Sequence, residues 1–367
     1  MGKGKHMSAL LQSLAQRGLQ FLGPEQAHDV TIKALCAGLF SKKPVIDDPR
    51  LSVKILGQQF PNPIGMAAGF DKNAMVYNPL LQLGFGFAEA GTVTPKPQKG
   101  NARPRVFRLR DHQAIINRYG FNNEGMDAFE ERLRNAPPTG ILGINVGANK
   151  RTEDKAADYA ACIRKLAPLA SYITVNISSP NTPGLRALQV GEALDDLLAR
   201  VVEARDEAVR GGQPKPLLLK IAPDVSEHQL DAIVHSVARH RLEGMIVSNT
   251  TLDRSGIGNV RHAGQAGGLS GAPLFDRATI LLAKTRQRVG PLLPIIGVGG
   301  ISTGLQGLQK MEAGANLVQI YTGMVYHGLP LLQDIKAQMI AELDKREVSR
   351  VSVLTGSNMR EWAAREL

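Results

Sequence analysis

From residue 62 onward a short apolar run is followed by a helical pattern eight times, and this alternation constrains the fold more than any other feature of the chain. The runs lie at 63–68, 85–93, 141–146, 172–177, 217–221, 245–249, 294–298 and 317–321. Helical periodicity follows over 153–166, 192–209, 226–240, 274–289, 303–313 and 331–343. Eight such units predict an α/β chain folded as a parallel (β/α)8 barrel. An open doubly wound sheet is the alternative, but no Gly-x-Gly-x-x-Gly opens a helix after the first run. The long stretch 94–122 holds a predicted hairpin, 105–109 with 114–118, of the kind that covers a catalytic face.

Ahead of the barrel the pattern changes. Residues 1–7 read as an expression leader and carry no fold information. Residues 8–44 are expected to form an amphipathic helical hairpin and 45–367 the barrel, with a linker near 42–49. The first helix, 8–22, presents Leu10, Leu11, Leu14 and Leu22; the second, 25–40, presents Val30, Ala34 and Leu35. Gly23 ends one and Pro24 begins the other. Neither reaches the ~20 apolar residues a bilayer span needs. Such a hairpin can lie in a membrane interface or pack on the barrel.

Two cysteines, Cys36 and Cys162, without a CxxC pair, predict an intracellular chain with no disulfide framework and no metal site. The formal charge of +11 asks for an anionic partner. Nucleic acid is not expected, because the basic residues are scattered and no binding motif is present.

In a (β/α)8 barrel the carboxyl ends of the strands build the site. Here they offer Ala67–Ala68–Gly69 with Lys72, Thr92, Asn145, Asn176 with Ser178 and Ser179, Lys220, Ser248 with Asn249 and Thr250, Gly297 to Gly300, and Tyr321 with Thr322. That set is rich in amides and nearly free of acids. Asn117, Asn145, Asn176, Asn181 and Asn249 each present a donor and an acceptor, which suits a cyclic imide, a flavin ring or a pyrimidine equally. The glycines after the seventh and eighth runs match a phosphate site, and Gly267–Gly271 would add further backbone donors, although tight turns also call for glycine. Lys220 ends an apolar strand, where it either stabilises an anion or snorkels to the rim.

Taken in order, the motifs at 24–28, 67–72, 103–109, 117–122, 175–182, 220–224, 248–251, 267–271 and 297–301 resemble those of the dihydroorotate dehydrogenases, specifically the membrane-associated, quinone-reducing class 2 family. The resemblance runs from about Gly23 to the final helix. It implies flavin mononucleotide held by Ala67, Ala68, Gly69, Lys72, Thr92, Asn145, Asn176, Lys220, Ser248, Gly271, Gly300, Tyr321 and Thr322. It implies dihydroorotate, or the product orotate, against Lys72, Asn117, Arg118, Tyr119, Gly120, Phe121, Asn176, Asn181, Asn249 and Thr250. Ser179 matches the family's base, with Thr182 and water behind it. Soluble class 1 relatives use a cysteine there, and this loop has none. His28, Arg108 and Tyr321 match residues lining the entry of ubiquinone or menaquinone. The resemblance further implies a role in pyrimidine biosynthesis and peripheral contact with lipid; a monomer is expected, and the absence of a transit peptide and a spanning helix favours the cytoplasmic face of a bacterial inner membrane. Little is expected to depend on the carboxyl-terminal segment.

Overall fold

Most of the eight runs are apolar without interruption because parallel barrel strands are covered on both faces. In the computed structural model, which describes residues 18, 21–40, 47–189, 191–210 and 212–367, they close into one barrel. Its strands are β3 (Ile64–Asp71), β4 (Phe87–Val93), β7 (Leu142–Val146), β8 (Tyr172–Asn176), β9 (Leu217–Ile221), β10 (Gly244–Val247), β12 (Ile295–Val298) and β13 (Leu317–Ile320). Every pairing around it is parallel, and β13 closes onto β3. Each position of β4, β7, β8, β9, β10 and β13 is buried. The open-sheet alternative is thereby excluded.

Outside the barrel, β1 (Val53–Ile55) and β2 (Gln58–Phe60) form a short antiparallel pair. The predicted hairpin is β5 (Val106–Leu109) and β6 (Ala114–Asn117), and it gains a third strand, β11 (Gly268–Gly271), antiparallel to β6. Gly267–Gly271 was expected as a loop of free backbone donors. Gly268–Gly271 instead pairs with Ala114–Asn117 as an edge strand, and Leu269 N on its other side donates to Thr251 O at 2.7 Å.

The interior is filled in layers. Phe60 meets Phe87 edge to face at 5.4 Å, and Phe87 meets Tyr172 at 6.4 Å, forming an apolar floor. Above it lies a buried carboxylate, Glu89, which accepts from Tyr172 Oη at 3.0 Å, Gln319 Nε2 at 2.7 Å and Asn145 Nδ2 at 2.7 Å. Strand tips with polar side chains lie above that.

Helices complete the units at nearly the expected bounds, for example Lys155–Leu166, Glu192–Ala208 and Phe275–Val289. The helix Glu227–Arg239 starts on a capping box, Ser226 with Gln229. Helix α1 (Pro24–Cys36) begins with proline at its first position and packs across β5. The expectations for 1–7, Leu10, Leu11 and Leu14 lie outside the described residues. The supposed linker is partly built into the barrel: Asp47 accepts from Asn62 Nδ2 at 2.7 Å and from Lys336 Nζ at 2.6 Å. At the carboxyl end, Trp362 packs edge-on against Phe275 at 6.3 Å, so this segment buttresses the start of a barrel helix.

Candidate active site

All the expected site residues except Thr182, Asn145 and Arg118 line one cavity of about 580 Å³ at the carboxyl ends of the strands. A register shift in β3 between Met66 and Asp71 turns Ala67, Ala68 and Gly69 into it. The cavity continues outward past Phe70 and Tyr321 to Ala27, Val30, Ala34, Leu35 and Leu39 of α1 and the turn after it. One space therefore joins the polar strand tips to the apolar face of the outer helix.

The tips hold one another through a chain of directed hydrogen bonds. Thr92 Oγ1 donates to Asn145 Oδ1 at 2.6 Å, and Asn176 Nδ2 donates to both Thr92 Oγ1 and Asn145 Oδ1. Ser178 Oγ donates to Asn176 Oδ1 at 2.6 Å and accepts from Asn249 Nδ2 at 2.8 Å. Asn145 thus sits one layer below the cavity, its amide oriented by Glu89. Three of the five expected amides, Asn145, Asn176 and Asn249, serve largely to fix the framework. Asn117 keeps its side-chain amide without a hydrogen bond among the described residues, and it lines the cavity.

Lys220 does not snorkel. It is 5% exposed and lines the cavity, and among the described residues its ammonium forms no hydrogen bond or ion pair. Burial lowers its pKa, and the charge of Glu89 opposes that shift. Gln319 Oε1 and Asn122 Oδ1, also in the lining, are buried without hydrogen-bond partners among the described residues. Neither was singled out from sequence. Glu89 was missed as well, though a lone acid inside an apolar strand was a usable signal.

Beyond β12, the amides of Gly299, Gly300 and Ile301 donate no hydrogen bond within the described protein. Gly300 has φ +77°, and a Cβ there would lie 2.5 Å from Phe275 Cβ, so packing as well as backbone shape demands glycine. The turn therefore requires glycine, and it leaves three backbone donors without an acceptor among the described residues.

At the opposite wall, Lys72 Nζ donates to Gly69 O at 2.7 Å and lies 3.3 Å from His28 Nε2 and 4.4 Å from the Tyr119 ring centroid. Burial brings its pKa down to about 8, while Glu25 and Asp29 hold it from falling further. Burial, reinforced by Lys72, holds His28 well below its usual range and therefore neutral, so its ring nitrogen can accept from the lysine. Gly120, at φ +71° with no room for a Cβ beside Asn101, turns Tyr119 and Phe121 over the cavity. Arg118 points away, donating to Gln265 Oε1 and Pro104 O. Arg108 lines the outer part and donates to Leu22 O at 2.8 Å.

Ser179 is buried at the tip of the loop after β8 and faces the cavity, and its Oγ accepts from Asn181 N at 3.2 Å. Asn181 Nδ2 in turn donates to Asn117 O at 3.2 Å. Thr182 lies behind, with its Oγ1 buried and without a hydrogen-bond partner among the described residues. Cys162 is in the core of Lys155–Leu166, away from this face.

Comparison with known proteins gives the family. Residues 50–343 match the family model described as dihydroorotate dehydrogenase. The protein named dihydroorotate dehydrogenase (quinone) from Brucella ovis is 53% identical over 365 residues, covering 98% of this chain and all of that one. Its namesake from Brucella melitensis is 52% identical over the same length. Among solved structures, the Eimeria tenella dihydroorotate dehydrogenase in complex with ferulenol superposes with a TM-score of 0.89 at 34% identity, over 94% of this chain and 99% of that one. The ligand-free form of the Eimeria protein gives 0.87 at 36% identity, over 92% and 99%. The chain belongs to the dihydroorotate dehydrogenase family, in its quinone-dependent class 2 branch.

Proposed function

We propose that this chain oxidises (S)-dihydroorotate to orotate in pyrimidine biosynthesis, with flavin mononucleotide as its bound cofactor and a membrane quinone as electron acceptor. The single cavity that reaches both the polar strand tips and the apolar face of α1 carries the reading, because it lets a charged substrate and a greasy acceptor approach one centre from two sides.

The donor set fits the cofactor. The unpaired amides of Gly299, Gly300 and Ile301, with Thr322 and Gly271 nearby, suit its phosphate. Lys220 and Gln319 Oε1 offer a cation and an acceptor to a ring that has both acceptors and an N–H. Ala67, Ala68, Gly69, Thr92, Asn176, Ser248 and Tyr321 enclose the rest, with Lys72 beside them and Asn145 supporting from below. Held there, a flavin would supply a two-electron acceptor for the C6 hydride and a two-electron donor for the quinone.

The protein supplies position and proton transfer. Lys72 pairs with the substrate carboxylate, and Asn117, Asn181, Asn249, Thr250 and the turn Tyr119–Gly120–Phe121 hold the ring. Ser179 takes the C5 proton. Serine is a weak base at neutral pH, and the N–H of Asn181 aimed at its Oγ favours the developing negative charge. Thr182 and water receive the proton beyond it, while the loop keeps bulk water out. The quinone enters past His28, Arg108 and Tyr321. Phe21, Val30 and Leu39, exposed around the outer mouth, favour peripheral contact with lipid, and we place the protein as a monomer on the cytoplasmic face of a bacterial inner membrane. No described helix is long and apolar enough to cross a membrane.

Anaerobic spectroscopy tests the reading. Dihydroorotate is expected to bleach the visible flavin band, and a long-chain quinone to restore it. A purified chain without a visible chromophore, or one whose band ignores dihydroorotate, would rule it out.

A further inference from the structure

Arg186 lies outside the cavity and matches none of the roles assigned above, yet it ties together the tips of three barrel strands. Its Nε donates to Ser178 O at 3.0 Å, its Nη1 to Asp224 Oδ2 at 2.8 Å and its Nη2 to Thr250 O at 3.0 Å. Those acceptors follow β8, β9 and β10 respectively. Ser178 immediately precedes Ser179, and Thr250 lies in the cavity wall. Asp224 is itself fixed, accepting from Leu252 N at 3.0 Å and from Thr251 Oγ1. Gln189, three residues after Arg186, anchors the far end of the same turn by accepting from Ala222 N at 2.9 Å.

We infer that Arg186 is a positioning residue: its guanidinium clamps the loop bearing Ser179 onto the tips of β9 and β10 and so sets where the Ser179 hydroxyl sits. A planar fork with N–H groups in three directions can reach three acceptors at once, which a lysine ammonium on a flexible stem cannot do in the same geometry. The loop has few other ties. Ser178 is held by Asn176 and Asn249, Asn181 by Asn117 and, at 3.4 Å, by Asn101 Nδ2. Among the described residues, Ser179 itself has only the bond to Asn181 N. Its placement therefore depends on the peptide before it, the carbonyl of which Arg186 grips. The inference rests on the role of Ser179 proposed above.

The test is a double-mutant cycle. Arg186→Lys keeps the charge opposite Asp224 and removes the fork. Dihydroorotate-driven flavin bleaching is expected to slow roughly 10- to 100-fold, the scale that a misplacement of about 1 Å produces. In a Ser179→Ala background the same change should add less than about twofold, because the group it positions is gone. Amide hydrogen exchange over 178–189 should rise in ligand-free Arg186→Lys, while flavin content stays at the wild-type value. Arg186→Gln serves if the lysine variant does not fold. Wild-type bleaching in Arg186→Lys, unchanged exchange, or slowing that multiplies fully in the Ser179→Ala background would each overturn the inference alone. Wild-type bleaching in Ser179→Ala would instead remove the role of Ser179 and the clamp's purpose with it.

Discussion

Removing the Glu25 carboxylate should loosen the outer helix and disturb the dihydroorotate end of the cavity together. Arg105, whose side chain is 6% exposed, donates to Glu25 through Nη2 at 2.6 Å and Nε at 3.1 and 3.3 Å. Its Nη1 donates to Lys99 O at 2.7 Å and Asn101 O at 3.0 Å. Breaking a buried pair by deleting one partner costs about 3–5 kcal/mol, since the other charge is left uncompensated. The two carbonyls still serve Arg105 after the change, and Arg103, the other partner of Glu25, is too exposed to add much. The lower end, about 3 kcal/mol, is therefore expected for Glu25→Ala, a shift of roughly 150-fold in docking of α1.

Denaturant unfolding and protease sensitivity of α1 measure the loss. Glu25→Ala combined with Arg105→Met should cost less than Glu25→Ala alone, because no orphaned guanidinium remains. Acid should mimic the substitution only below the usual carboxylate range: burial raises the Glu25 pKa, but the hydrogen bond and charge of Arg105 outweigh it and leave the group depressed. Its contribution is then complete above the unfolded value and lost as pH falls through the folded one. A cost under about 1 kcal/mol, or a double variant worse than the single one, would refute the reasoning.

Three further outcomes are expected. Lys72, with a pKa near 8, should bind orotate at constant affinity below that pH and about tenfold more weakly per unit above it, until the pKa of the complex is reached; Lys72→Met should abolish the slope, and a flat wild-type titration would remove the lysine from carboxylate binding. Lys220→Met should lower flavin occupancy or make the flavin potential more negative, since a buried cation no longer offsets negative charge; unchanged values for both would deny it that role. Deleting 1–44 should abolish reoxidation by a long-chain quinone and also raise KM for dihydroorotate, whereas an unchanged KM would show that the helix contributes nothing to the substrate wall.

The eight-unit barrel was legible because two-sided burial makes each strand a run that solvent-facing chain would not tolerate, and the strand tips were legible because topology places them on one face. What escaped were partnerships between distant segments. Gly268–Gly271 read as a loop, having little side-chain pattern of its own, and became a strand by meeting Ala114–Asn117. Asn145 read as a ligand amide, but Glu89 and Thr92, far away in sequence, hold it one layer below the cavity. Arg186 lay in a quiet stretch after the serine loop, and only the fold brings Asp224 and Thr250 to it.

The two ends of the cavity also prove less separable than sequence alone implies. A linker ahead of the barrel suggests a helical attachment serving only the quinone. Instead α1 places Glu25 on Arg105 and His28 on Lys72, while Arg108 holds Leu22 O just ahead of it. Tyr119 lies between the two cations, 4.4 Å from Lys72 Nζ and 5.4 Å from the Arg105 guanidinium carbon. A displacement of the helix therefore changes the charge surroundings of Lys72, the lysine proposed to meet the substrate carboxylate. If Lys72 and the helix have the roles proposed above, contact of the helix with lipid or quinone and affinity for dihydroorotate share one coupling energy, and linkage requires each to act on the other by the same factor.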